Sequence, residues 1–116
     1  MMNYKQGDIV LVWFPESNLL TVKKRPAIIL QTDNLQTGLN QVIIGMITSN
    51  FLRRGHMSRI FVDITTETGK KTGLLGNSVI MTDNVATVQF SEIYKKIGSY
   101  EESDILKKSI KYTFGV

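Results

Sequence analysis

The sequence predicts a mainly β protein, a small β-barrel carrying one C-terminal α-helix. Three observations predict it. Apolar, β-branched runs recur between Gly7 and Gln89, each closed by turn-forming residues. Beyond Ser99 the apolar spacing lengthens to four, the period of a helix face. The 116 residues suit a single domain, residues 1–116, large enough to bury a core without a metal or a disulfide.

Asp8 to Phe14 (DIVLVWF) opens after Gly7 and stops at Pro15, as a strand would. Pro26 to Leu30 (PAIIL) and Val42 to Thr48 (VIIGMIT) are continuous apolar runs, which suit strands covered on both faces. Arg59 to Ile64 alternates, with Ile60, Val62 and Ile64 on one side. Ser78 to Met81 and Asn84 to Gln89 read as a further pair joined near Thr82-Asp83. Closing such strands into a barrel hides their unpaired edges.

Three joins stand out. Glu16 to Lys24 is long for a hairpin and reads as a functional loop. Thr32 to Gln41 holds Asp33-Asn34 and Gly38, and Thr66 to Gly76, rich in Thr, Lys and Gly, reads as the most mobile stretch. At the C-terminus Ser99 and Glu102 fit a capping box, and Leu106, Ile110 and Phe114 form one helical stripe. The helix is placed at about 101–114, with Gly115 after it.

Composition excludes several chemistries. There is no cysteine and only one histidine, His56, so a disulfide framework, a thiolate metal site and a cysteine nucleophile are ruled out. No phosphate loop ending in Lys-Ser/Thr, no GxSxG elbow and no HExxH occurs. No metal and no cofactor is expected. No apolar run approaches the roughly 20 residues a bilayer requires, so the chain is expected in the cytoplasm, away from membranes.

The net charge is +4 and the pI about 9.4, which favours a polyanionic partner. Lys23, Lys24 and Arg25 form one basic cluster; Arg53, Arg54, His56 and Arg59 form a second. The C-terminal charges are mixed in sign, Glu101, Glu102 and Asp104 facing Lys107, Lys108 and Lys111, and read as a solvated helix face. Arg25 stands at the mouth of one apolar strand and Thr48 at the end of another. Either could be ordinary, an arginine reaching solvent and a threonine fitting a sheet. If both project into one groove they can grip a phosphate, since a guanidinium offers paired N–H donors and a hydroxyl one more.

The order GDIVLVWFP, KKRPAIIL, a strand ending ITSN, GLLGNSVI, TDNVATV and KKIG, running from Gly7 to Gly98, resembles the MazF/PemK toxin family. Gly55-His56-Met57-Ser58-Arg59 also resembles a Gly-His-Pro-Ser-Arg stretch in one branch of it. The resemblance implies an SH3-like barrel of the MazF/CcdB/Kid type. It implies an endoribonuclease that cuts single-stranded RNA without a metal, the 2′-hydroxyl attacking its own phosphate to leave a cyclic phosphate and a 5′-hydroxyl. By position Arg25 matches the family's catalytic arginine and Thr48 the threonine beside it. His56 is a candidate for proton transfer, its ordinary pKa of about 6.5 suiting that task. Lys24, Ser49, Asn50, Arg53 and Arg59 are candidate RNA contacts. Trp13 and Phe14 are aromatic enough to stack on bases, though both could be core.

The same resemblance implies a homodimer with the RNA groove along its interface, and a small antitoxin whose acidic, flexible tail fills that groove. Ala86 stands where many relatives carry an arginine, and the Glu16 to Lys24 loop is unlike the acidic, glycine-rich loop of other branches. Two other functions fit the same barrel: a poison that traps a protein such as gyrase through its C-terminal helix, and a non-catalytic module that binds RNA or peptide.

Overall fold

The computed structural model describes residues 4–16, 18, 20–33 and 35–116; Ser17 and Leu19 of the expected loop, and Asn34, lie outside them. Strands β1 (Asp8–Pro15), β2 (Val22–Ile29), β3 (Gln41–Thr48), β4 (Arg59–Val62), β5 (Ser78–Gln89) and β6 (Ile93–Ser99) form one antiparallel sheet in the order β4-β5-β3-β2-β1-β6. Helix α1 spans Glu67–Lys71 and α2 spans Ser103–Phe114. The sheet is not closed: β4 and β6 are its edges. Among the described residues no helix is long and apolar enough to cross a membrane.

The continuous apolar runs are explained by cores on both faces of this sheet. One gathers Ile9, Ile28, Leu30, Ile47, Ile60, Val62 and Ile80 with Tyr100 and Leu106. The other gathers Val10, Val12, Ala27, Ile29, Val42, Ile44, Val88 and Ile93. Neighbouring positions along β1, β2 and β3 alternate between the two, as the pleat requires. Each fully buried side chain of this size contributes about 1.5–3 kcal/mol.

Four expectations are corrected. Val22 to Lys24 join β2 and pair with Pro15, Phe14 and Trp13, so the connection after β1 is shorter than the Glu16 to Lys24 loop. The two strands expected around Thr82-Asp83 are one strand, β5. Gly45 pairs with Val85 and Met46 with Met81, so Thr82, Asp83 and Asn84 form a bulge that breaks the alternation without ending the strand. The Thr66 to Gly76 stretch contains α1, whose cap Thr66 accepts a hydrogen bond from the Gly69 N–H at 3.0 Å. Its polar residues favour a cap as readily as a loop.

The fourth correction concerns α2. It begins at Ser103 with no side-chain cap, and Ser99 ends β6 with its hydroxyl on Glu101 at 3.4 Å. The capping box is therefore absent. Leu106 is buried and Ile110 packs on the core, but Phe114 is exposed. The docked face is Leu106, Ser109, Ile110 and Thr113, half of it hydroxyls. Gly115 adopts φ +70 and closes the helix with its N–H on the Lys111 carbonyl at 2.8 Å, a left-handed cap that glycine accepts without strain.

Candidate RNA-contacting site

β1 and β2 run past the rest of the sheet. Their ladder extends through Val12–Arg25, Trp13–Lys24 and Phe14–Lys23, whereas the β2–β3 ladder ends at Ala27–Met46. The result is a two-stranded arm whose residues Val22 to Arg25 are all exposed. Carried two residues further along both strands, the β2–β3 register sets Arg25 level with Thr48. Residues opposite one another in an antiparallel pair point to the same face. Arg25 and Thr48 thus lie on one face of the sheet, that of Ala27, Ile29, Ile44 and Met46.

The Arg25 side chain is 46% exposed, and its Nη2 lies 3.8 Å from Glu16 Oε2. Such a contact is worth little in water. At Thr48 the hydroxyl oxygen accepts the Asn50 N–H at 3.1 Å, and Asn50 Oδ1 accepts the Leu52 N–H at 2.9 Å. These turns leave the Thr48 O–H and the Asn50 amide N–H groups available as donors.

Thr48, Asn50, Leu52, Arg53, Arg59 and Met81 line a pocket of about 160 Å³. Thr48 and Asn50 enter it from the end of β3, Arg59 from β4 and Met81 from β5, where Arg59 and Met81 are paired. Four of the eight residues singled out from the sequence therefore meet in one cavity. Ser49 is exposed beside it. Arg54 folds back over the Phe61 ring, 5.0 Å from its centroid. Lys24 alternates with Arg25 and stands on the other face of the arm.

The pocket's wall is fixed by a carboxylate absent from the sequence-based candidates. Asp83, in the β5 bulge, accepts from Arg59 Nε at 2.8 Å and from the Ser58 hydroxyl at 3.0 Å. Partial burial pushes the Asp83 carboxyl up, but the Arg59 and Ser58 hydrogen bonds and the Arg59 charge outweigh it and hold its pKa below the ordinary value. His56 joins the same group: its Nδ1 lies 2.7 Å from Ser58 Oγ and accepts the Ser58 N–H at 3.1 Å. Its ring meets Tyr112 of α2 edge-on at 5.7 Å. His56 therefore leans against α2 and does not line the pocket. No local signal marks Asp83, because only the bulge carries it to Arg59.

A buried hydroxyl network ties this corner to α2. Thr82 Oγ1 lies 2.8 Å from the Ser58 carbonyl, from Ser109 Oγ and from Thr113 Oγ1. The Ser109 hydroxyl donates to the Met57 carbonyl at 2.8 Å. The helix thereby holds the segment that connects the pocket to β4. Among the described residues no group of three or more His, Cys, Asp or Glu is gathered as a metal site would need.

The fold is similar to several solved structures. An endoribonuclease in complex with its cognate antitoxin, from a mycobacterial species, matches with a TM-score of 0.72 at 14% identity, covering 97% of this chain and 96% of that one. A MazE-MazF structure from Deinococcus radiodurans matches with a TM-score of 0.71 at 14% identity, covering 99% of each chain. The Mycobacterium tuberculosis toxin MazF-mt6 matches at 0.66 with 23% identity, covering 92% and 97%. No curated protein sequence is a significant match. The model of the PemK-like, MazF-like toxins of type II toxin-antitoxin systems matches residues 5–109. With that match spanning nearly the whole chain, and the same fold in the solved toxins, the chain belongs to the PemK-like, MazF-like toxin family.

Proposed function

We propose that this toxin is a metal-independent, sequence-specific endoribonuclease that cleaves single-stranded RNA at a phosphate held between Arg25 and Thr48. The reading is supported by Arg25 and Thr48 falling on one face of adjacent strands, with Thr48 lining a pocket beside Arg53 and Arg59 while Arg25 stands outside that pocket on the arm. In the reaction the 2′-hydroxyl gives up its proton to water as its oxygen attacks the neighbouring phosphorus, the P–O5′ bond breaks, and the 5′-oxygen takes a proton from water. The upstream product ends in a 2′,3′-cyclic phosphate and the downstream product leaves with a 5′-hydroxyl. The phosphorane that forms carries extra negative charge on its oxygens. A guanidinium placed there stabilises it more than it stabilises the starting diester, which is what lowers a barrier. Arginine stays protonated at neutral pH, so Arg25 acts by charge and hydrogen bonding. Thr48 donates its O–H to a phosphate oxygen.

The loose Arg25–Glu16 contact supports this role, because a phosphate can displace the carboxylate at little cost. Arg53, Arg59, Asn50, Ser49 and Lys24 contact the strand around the scissile phosphate. His56, held on Ser58 and Tyr112 outside the pocket, is not assigned a step in this reaction. Single-stranded RNA is the substrate class, since its bases are open to side chains that an A-form duplex excludes. The toxin acts in the cytoplasm as a homodimer and is neutralised by a cognate antitoxin with an acidic tail. The antitoxin-bound mycobacterial and Deinococcus structures support that partner.

The test incubates the protein with a long single-stranded RNA in excess chelator, beside Arg25→Ala. The expected result is cleavage with cyclic-phosphate ends, reduced at least about 10²-fold in the variant. Equal cleavage by both proteins would overturn the assignment of Arg25. No cleavage by either would leave a protein-directed poison or a non-catalytic module.

A further inference from the structure

The face of the β1–β2 arm opposite Arg25 carries a second cluster, in which Lys24 meets two aromatic rings to which the cleavage reaction gives no task. Trp13 and Tyr94 meet edge to face with centroids 5.6 Å apart, and both rings are exposed, Tyr94 by half. The Lys24 ammonium lies 4.2 Å from the Tyr94 centroid and 5.5 Å from that of Trp13; Lys95 lies 5.8 Å from Tyr94. Tyr94 is brought there by a bulge: β6 pairs Ile93 with Val12 and Lys95 with Leu11, so Tyr94 is an extra residue without a partner. A bulge re-aims the side chain it carries. Here it turns an aromatic ring outward, against a tryptophan that the pleat already exposes.

We infer that Trp13, Tyr94 and Lys24 form a stacking platform for a nucleobase of the RNA strand whose phosphate lies at Arg25. The inference rests on the endoribonuclease reading. Exposed rings next to ammonium groups are what an unpaired nucleotide requires, a flat π-face for the base and a cation for its phosphate. Lys24 and Arg25 are consecutive, so one short arm offers cations on both faces, and a strand that passes over its rim meets both. Stacking is tolerant of base identity, so the platform adds affinity and register without choosing the cut sequence. An acidic peptide would satisfy the lysines but leave the rings without a partner.

Trp13 is the only tryptophan, so its fluorescence reports this site alone. The wild-type protein is titrated with short 2′-O-methyl oligoadenylate, which lacks the nucleophile and cannot be cut. The comparison ligands are an abasic sugar-phosphate chain of equal length and polyglutamate. The oligoadenylate is expected to quench Trp13, and neither comparison ligand is. Tyr94→Ala is expected to weaken oligoadenylate binding roughly 5- to 100-fold, with recovery in Tyr94→Phe. Equal quenching by the abasic chain or by polyglutamate, or none by oligoadenylate, would overturn the platform. So would a Trp13 shielded from acrylamide in the free protein, since a second copy would then cover it. Cleavage of long RNA is scored separately. Cleavage without quenching removes the platform alone, whereas quenching without cleavage supports the platform and removes the endoribonuclease reading.

Discussion

The two arginines at the sheet's working end are held in opposite ways. Arg25, on the projecting arm, is 46% exposed and touches Glu16 at 3.8 Å. Arg59, at the β4–β5 corner, is 19% exposed and bonds Asp83 at 2.8 Å, with Ser58, Thr82 and α2 behind it. The difference teaches which cation can respond to substrate. A charge that is already paired and hydrogen-bonded has less to gain from a phosphate than one held loosely. Arg59 is held in place to shape a wall and can offer the strand only what its Asp83 bond leaves over, whereas Arg25 can move to close on what arrives.

That contrast can be broken experimentally, beginning where the effect is largest. Arg25→Ala should lower the cleavage rate at least about 10²-fold while leaving the melting temperature unchanged. Chain-end analysis and a thermal melt on the same sample check both halves. A variant that melts early would mean that Arg25 is structural after all.

Thr82→Val should act the other way. Removing the hydroxyl breaks its contacts to the Ser58 carbonyl, Ser109 and Thr113, although the Ser58 carbonyl keeps the Thr82 N–H and Ser109 keeps the Met57 carbonyl. The expected loss is about 1 kcal/mol in urea unfolding. Thr48→Val keeps the strand but removes the phosphate donor, and a drop in rate of about tenfold is expected from one neutral hydrogen bond. An unchanged rate would take Thr48 out of the reaction.

Asp83→Asn should cost less than about 1 kcal/mol, because the Asp83 side chain is 35% exposed and solvent screens the pair. The sign with pH follows from its lowered pKa. The folded state favours the carboxylate, so the contribution is complete above the ordinary carboxylate pKa of about 4. It fades as pH falls through the lower folded value. Wild type and Asp83→Asn should therefore converge in stability in acid. A gap that persists below that window would mean the aspartate acts by packing instead of charge.

Part of the site was legible because it rests on local patterning. Arg25 follows two lysines at the entry of PAIIL, and Thr48 ends VIIGMIT; a strand's limits and alternation can be read from such runs. Asp83 and Tyr94 were not legible. Each sits in a bulge, and a bulge depends on how a neighbouring strand pairs, which no single segment encodes. Trp13 was readable from the sequence either as a stacking aromatic or as core. Its exposure goes with its place on β1 just beyond Val12, where the ladder to β6 ends.

Taken alone, the amino-acid order determined a one-domain, mainly β chain with a terminal helix, the two basic clusters, and the arginine and threonine at strand ends. These follow from residue type and near-neighbour period, which act over a few residues. Tertiary structure decided that the sheet stays open, that Arg25 and Thr48 share a face, and that Arg59 is pinned while Arg25 is not. Those outcomes depend on the register between distant strands, and a one-residue slip in that pairing would send every side chain to the other face.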